Sequence, residues 1–157
     1  MKALIVEDDD LKHGALTGIC TEFGLFSDRA SSFVSAMRMI ASGSYDLVIL
    51  DITLPTYDIT PTTPGGTKRN FGGREILRSC SHINISFKTI VVSGYENFEE
   101  DNETQTFDEV LLDLNCIPGV CIISGIQYSP AIGDWKDKMR VALTDSGMTK
   151  LSEERQV

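Results

Sequence analysis

Along the first half of the chain, short apolar runs alternate with stripes of apolar residues at helical spacing. Lys2–Val6 reads as a continuously apolar strand that ends in the acidic run Glu7-Asp8-Asp9-Asp10. Asp9 or Asp10 can cap a helix in which Leu11, Ala15, Leu16, Ile19 and Phe23 recur until Gly24 stops it. Leu25–Ala30 reads as a second strand. Ser31 or Ser32 then caps a helix with Phe33, Ala36, Met37 and Ile40 on one face, ended by Gly43. Asp46–Leu50 is a buried third strand. Continuous apolar strands separated by amphipathic helices predict a parallel sheet covered on both faces.

The pattern then breaks. Thr56–Gly73 holds five threonines, two prolines and four glycines without apolar periodicity, which predicts a long loop. Arg74–Cys80 reads as a short helix and Lys88–Val92 as a fourth buried strand. Glu96–Glu103 reads as an acidic loop or helix start, and Thr106–Leu114 as a helix with Phe107, Val110, Leu111 and Leu114 inward. Pro118 and Gly119 precede a fifth apolar strand at Val120–Ile123. A last helix, Asp134–Leu143, turns Trp135, Met139, Ala142 and Leu143 inward. The fold class expected is α/β: a doubly wound, five-stranded parallel sheet, with strands one and three adjacent if the order is 2-1-3-4-5. Residues 1–147 are expected to form a single domain with an inserted loop at about 56–72, followed by a polar tail at 148–157 that frays.

Length and composition support one domain. A chain of 157 residues with 41% apolar content can bury a core without disulfides or a structural metal. No apolar run is long enough for a membrane span, and the N-terminal run is too short for a signal peptide, so a cytoplasmic location is expected. Charge changes the picture more. With 23 acids against 14 bases the net charge is −9, and Tyr95–Asn115 carries eight acids and no base. Such a chain repels phosphate, so direct nucleic-acid binding is not expected. The acidic stretch is either a solvated face or a docking surface for a basic partner. The four cysteines, at 20, 80, 116 and 121, have no zinc spacing with one another or with His13 and His82. They read as reduced thiols, buried at Cys20 on a helix stripe and at Cys121 in a strand.

In a doubly wound sheet, chemistry gathers at the carboxyl ends of the strands. Strand one ends in Glu7-Asp8-Asp9, strand three in Asp51 and strand four in Ser93. With strands one and three adjacent, Glu7, Asp8 and Asp51 converge on one crevice. Packed carboxylates repel one another unless a cation lies among them, and hard oxygen donors suit Mg²⁺. A carboxylate there can also attack phosphorus, and the Ser93 hydroxyl would then bond a phosphoryl oxygen.

These residues carry a resemblance. Ile-Val-Glu-Asp-Asp at 5–9, Leu-Val-Ile-Leu-Asp-Ile-Thr-Leu-Pro at 47–55 and Ile-Val-Val-Ser-Gly at 90–94 are similar to the receiver domain of two-component response regulators. The resemblance implies that Glu7 and Asp8 are the acidic metal-binding pair and Asp51 the phospho-accepting aspartate. It makes Thr53 the residue whose backbone carbonyl joins the Mg²⁺ shell, Ser93 the switch hydroxyl, and Gly73 the glycine that opens helix three. It further implies a stand-alone receiver that takes its phosphoryl group from a histidine kinase or phosphotransfer protein and signals through a downstream protein partner. Such a chain is a phosphoryl acceptor with at most weak self-dephosphorylation, not an enzyme.

The chain departs from that pattern in two ways. The insertion at about 56–72 would hang over the metal crevice. The family's strand-five lysine is missing: Ser129 precedes Pro130, and no Lys or Arg occurs between Thr89 and Trp135. Lys68, Arg69 or Arg74, which lie within or flank the inserted loop, could supply a substitute cation, or could simply face solvent. The runner-up is a pseudo-receiver that acts by phosphorylation-independent protein contact. A phosphatase of the haloacid-dehalogenase-like class is a more distant alternative, because Leu-Asp-Ile-Thr-Leu resembles its nucleophile motif but Thr53 stands where a second Asp is usual.

Overall fold

The structure is a computed structural model and describes residues 1–62 and 64–151. Its elements in chain order are β1 (Lys2–Val6), α1 (Asp10–Glu22), β2 (Phe26–Ala30), α2 (Phe33–Ser42), β3 (Leu47–Leu50), β4 (Leu54–Pro55), β5 (Lys68–Arg69), α3 (Gly72–His82), β6 (Lys88–Ser93), β7 (Asn97–Glu100), β8 (Glu103–Thr106), α4 (Phe107–Asn115), β9 (Cys121–Gln127) and α5 (Asp134–Asp145). The main sheet runs β2-β1-β3-β6-β9, all parallel, which is the expected 2-1-3-4-5 order of the five core strands. Strand residues alternate between two apolar layers. Leu4, Val6, Val48, Leu50 and Val91 pack under α2, α3 and α4. Ala3, Ile5, Leu47, Ile49, Ile90 and Val92 pack under α1 and α5.

The helices start where their side chains can satisfy free backbone N–H groups. Asp9 accepts from the Lys12 N–H at 2.8 Å, and Ser32 forms a capping box with Ser35 at the head of α2. Thr106 caps α4 by accepting from the Glu109 N–H.

Two segments differ from the sequence reading. The loop within Thr56–Gly73 is more tightly held than its composition suggests. The antiparallel β4–β5 ladder, Leu54 with Arg69 and Pro55 with Lys68, closes its base, and the Thr56 and Tyr57 N–H groups bond the carbonyls of Thr67 and Gly65. Gly65 and Gly66 turn the chain at φ +89° and +67°, where a side chain is disfavoured. Asp58 accepts from Ser32 at 2.6 Å and Ser31 at 3.1 Å, so the segment is tied to the head of α2. Residues 96–103 are not a helix start. They form the β7–β8 hairpin, closed by Asp101-Asn102 with both residues at positive φ, the conformation that two-residue hairpin turns prefer. Phe98 anchors this acidic hairpin in the core, with its ring 5.9 Å from Phe71 and 6.5 Å from Phe107.

Strand β9 runs on past Ile123, because Ser124 and Gly125 pair with β6 and Leu111 covers the bare Gly125. The pairing skips Ile123, a bulge that lets β9 continue to Gln127. The start of the tail is held rather than frayed. Met148 packs on the α1/α5 layer, and the Leu151 N–H bonds the Glu22 carbonyl at 3.0 Å. The tail from 152 onward lies outside the described residues.

The cysteines divide by burial. Cys20 and Cys80 are buried and Cys116 is exposed; Cys121, expected inside a strand, is exposed at the start of the edge strand β9. Burial pushes the Cys20 thiol up to about 12 and the Cys80 thiol to about 11. Native labelling with iodoacetamide is therefore expected to modify Cys116 and Cys121 and to spare Cys20 and Cys80 until the protein is denatured. Peptide mapping checks this, and rapid native labelling of Cys20 would contradict the packing of α1.

Candidate functional site

The sheet register fixes the site. Val6 of β1 pairs with Leu50 of β3, so the next residues, Glu7 and Asp51, leave the sheet side by side. The backbone keeps them in step: the Asp51 N–H bonds the Val6 carbonyl and the Glu7 N–H bonds the Ala30 carbonyl. Strand alternation turns both side chains toward the α1/α5 face. Glu7 and Asp51 are 2% and 7% exposed, and Asp8 is half-buried. One carboxylate oxygen from each of Glu7, Asp8 and Asp51 lies within 4.8 Å of the others. The expected triad is assembled.

A cavity of about 320 Å³ opens onto it, lined by Glu7, Asp8, Asp51 and Thr53 and, across its mouth, by Lys68, Tyr95 and Tyr128. Thr53 is held by its hydroxyl, which donates to the Asn70 carbonyl at 3.2 Å. Ser93 is fully buried but does not line the cavity, whereas the next residue, Gly94, does. The Ser93 hydroxyl accepts from the Tyr95 N–H at 3.1 Å, and Gln127 donates to the Ser93 carbonyl at 3.0 Å and the Tyr95 carbonyl at 2.8 Å.

The residue that sequence reasoning missed is Lys12. Its ammonium lies 2.6 Å from Glu7 Oε2 and 3.3 Å from Asp51 Oδ2, and donates to the Val92 carbonyl at 2.9 Å. The Tyr128 ring stands over it at 5.7 Å. Burial alone would lower the pKa of Lys12, but the carboxylates of Asp51 and Glu7 outweigh it and hold the ammonium above its ordinary value. Burial, and then the neighbouring charge of Asp51, raise the Glu7 carboxyl against the pull of Lys12. Burial likewise raises Asp51, offset in part by Lys12 and by the Ile52 N–H that donates to Oδ1 at 2.7 Å. One ammonium among three carboxylates leaves negative charge in excess, and all the free donors are hard oxygens. The set fits a divalent cation such as Mg²⁺.

Of the three loop cations, only Lys68 reaches the cavity, and its ammonium sits 5.8 Å from the Tyr95 ring. Arg69 pairs with Glu75 at 2.8 Å and lies on Phe33. Arg74 pairs with Glu100 and lies on Phe71. The two arginines are committed elsewhere. A lysine already on α1, rather than a loop residue, is in contact with Asp51.

Comparison with known proteins agrees with this fold. No family model matches the chain. It is 29% identical over 147 residues to y4jR of Sinorhizobium fredii, an uncharacterized protein, covering 90% of this chain and 96% of that one. It is also 29% identical over 119 residues to the Detocs response regulatory protein DtcB of Enterobacter cloacae, covering 73% and 79% of the two chains. Among solved structures, it superposes on the response regulator TrrA of Thermotoga maritima in complex with Mg²⁺-BeF with a TM-score of 0.58 and 22% identity, over 90% of this chain and 98% of that one. A response regulator receiver domain from Clostridium thermocellum gives a TM-score of 0.60 at 18% identity, over 92% of each chain. The fold is the receiver fold, and the chain resembles response regulators in sequence.

Proposed function

We propose that this chain is a phosphorelay receiver that accepts a phosphoryl group on Asp51. The supporting observation is the meeting of Glu7, Asp8 and Asp51 at the carboxyl edge of β1 and β3, with Asp51 open to a cavity. In this reading a carboxylate oxygen of Asp51 attacks phosphorus in a phosphohistidine donor. The new P–O bond forms as the P–N bond breaks, and the imidazole leaves with the bonding pair and takes up a proton. Glu7, Asp8, Asp51 and the Thr53 backbone carbonyl would hold Mg²⁺, which when bound supplies positive charge for the phosphoryl oxygens. The Ser93 hydroxyl, now engaged with Tyr95, would act as the switch group by turning toward the phosphoryl group.

Residues 1–147 form the receiver unit in this proposal, with 148–157 as its tail. The donor would be a histidine kinase or phosphotransfer protein, and the output a protein contact. The acidic β7–β8 hairpin offers a surface for a basic partner. No helix among the described residues is long and apolar enough to cross a membrane, and a cytoplasmic location fits this reading.

A second reading has one observation in its favour. Lys12 already neutralises part of the carboxylate cluster, as a pseudo-receiver working without metal or phosphate would need. The two readings separate on metal response. A receiver with an electron-rich site gains stability from divalent ions by mass action. Wild type is expected to melt higher in millimolar Mg²⁺, and Asp8→Ala is expected to lose that gain. Identical melts with and without Mg²⁺ in both proteins would favour the pseudo-receiver. Phosphorylation itself is tested by Asp51→Asn, expected to keep the fold and take up no phosphoryl group from a small phosphodonor. Uptake persisting in that variant would move the acceptor elsewhere.

A further inference from the structure

A phosphoryl group on Asp51 would bring about two negative charges into a pocket that already holds Glu7 and Asp8. Mg²⁺ alone would not balance them, so a second cation is required. Among the described residues, Lys12 is the buried cation in contact with Asp51. We infer that Lys12 is the phosphoryl-binding cation of this protein, supplied from the first turn of α1 rather than from the edge strand β9. The inference rests on Asp51 being the acceptor.

Three features prepare Lys12 for this role. Its ammonium has three donors. One meets Glu7 at 2.6 Å and one the Val92 carbonyl at 2.9 Å, so the group is anchored to both β1 and β6. Asp51 Oδ2 lies 3.3 Å from the same ammonium, the longest of the three contacts and the one a phosphoryl oxygen could replace. The position is also preorganised. Lys12 is 6% exposed, backed by Tyr128, and its backbone N–H is fixed by the Asp9 cap, so little rotamer entropy remains to be lost on binding. Lys68, by contrast, is exposed at the cavity mouth.

Binding of beryllofluoride with Mg²⁺, a non-covalent phosphoryl mimic, tests this. Trp135 provides the signal, being the single tryptophan and packed 4.8 Å from the Tyr128 ring that covers Lys12. Lys12→Met is expected to weaken mimic binding by about tenfold or more, the scale of one charge-assisted hydrogen bond. Lys12→Arg is expected to recover part of that loss, and Lys68→Ala, at the exposed side of the cavity, to weaken binding less than Lys12→Met does. The Mg²⁺-dependent rise in melting temperature should survive in Lys12→Met, because the carboxylates remain. If Lys12→Met does not fold, the wild type decides: the Lys12 ammonium resonance should shift on adding beryllofluoride to the Mg²⁺-bound protein. Undiminished mimic binding in folded Lys12→Met, or an unmoved Lys12 resonance on saturation, would overturn the assignment while leaving Asp51 as acceptor. Failure of wild type to bind the mimic at all would instead remove the acceptor reading, and this assignment with it.

Discussion

Gly73→Ala is expected to be among the most damaging single substitutions in the chain. A Cβ at Gly73 would collide with the Asp51 carbonyl oxygen and lie 3.0 Å from Ile52 Cα, both backbone atoms that cannot rotate away. The Gly73 N–H also bonds the Ile52 carbonyl at 2.8 Å, so α3 cannot lift off without losing that bond. The expected cost is about 3 kcal/mol or more, at the upper end for overpacking, and on the order of 10 °C in melting temperature for a chain of this size. The strain falls on the loop that places Asp51, so phosphoryl acceptance should fall with stability. Thermal melts check it. A Gly73→Ala protein within a degree or so of wild type, well inside the normal surface-substitution range, would contradict the close approach of α3 to β3.

Lys12→Ala is expected to cost about as much for an electrostatic reason. Removing one partner of a buried pair leaves its charge uncompensated, typically at about 3–5 kcal/mol. Here two carboxylates, Glu7 and Asp51, lose their shared ammonium at once. The loss should be largest without divalent ions and should shrink in millimolar Mg²⁺, which would occupy the same carboxylates. At alkaline pH, where the raised Glu7 carboxyl is ionised, Lys12→Ala with Glu7→Gln should be more stable than Lys12→Ala alone, because one orphaned charge has gone. Denaturant melts of the four proteins measure the coupling. Additive effects would mean that Lys12 and Glu7 are not paired in solution.

Much of the fold was legible because burial dictates it. Lys2–Val6, Asp46–Leu50 and Lys88–Val92 are short apolar runs separated by amphipathic helices, which suits strands buried on both faces; their order was legible only through the resemblance to a known fold. The two hairpins were not legible by periodicity. In Thr56–Gly73 the pairing hangs on the turning glycines at 65 and 66 and on the Asp58 tie to α2. In β7–β8 the polar outer face hid the alternation, leaving Phe98 as the only apolar marker, although Asp101-Asn102 is a hairpin-turn pair. The end of β9 was missed because Ser124-Gly125 reads as a turn until a neighbouring strand is known to pair with it.

The carboxylates of the site were legible for a simple reason: each follows an apolar strand directly, so topology alone brings them together. Lys12 was not, because its charge argued for solvent. The spacing told otherwise. The buried stripe of α1 runs through Leu16, Ile19 and Cys20, and one turn back it lands on residue 12, whereas Leu11 is 85% exposed. A lysine at an apolar-stripe position one turn after an acidic strand end is the signal to look for. The arginines in or beside the inserted loop, Arg69 and Arg74, are held by Glu75 and Glu100.

The acceptor role of Asp51 is tested most directly by mass spectrometry of the wild-type protein after incubation with a small phosphodonor and Mg²⁺. One added phosphoryl group is expected in the intact protein, and borohydride reduction of the acyl phosphate, which expels phosphate, is expected to leave homoserine at position 51. It should be absent in Asp51→Asn and when Mg²⁺ is withheld. An unchanged mass with Mg²⁺ present, or a phosphoryl group mapping to any other residue, would contradict the proposal that this chain is a receiver that accepts phosphate on Asp51.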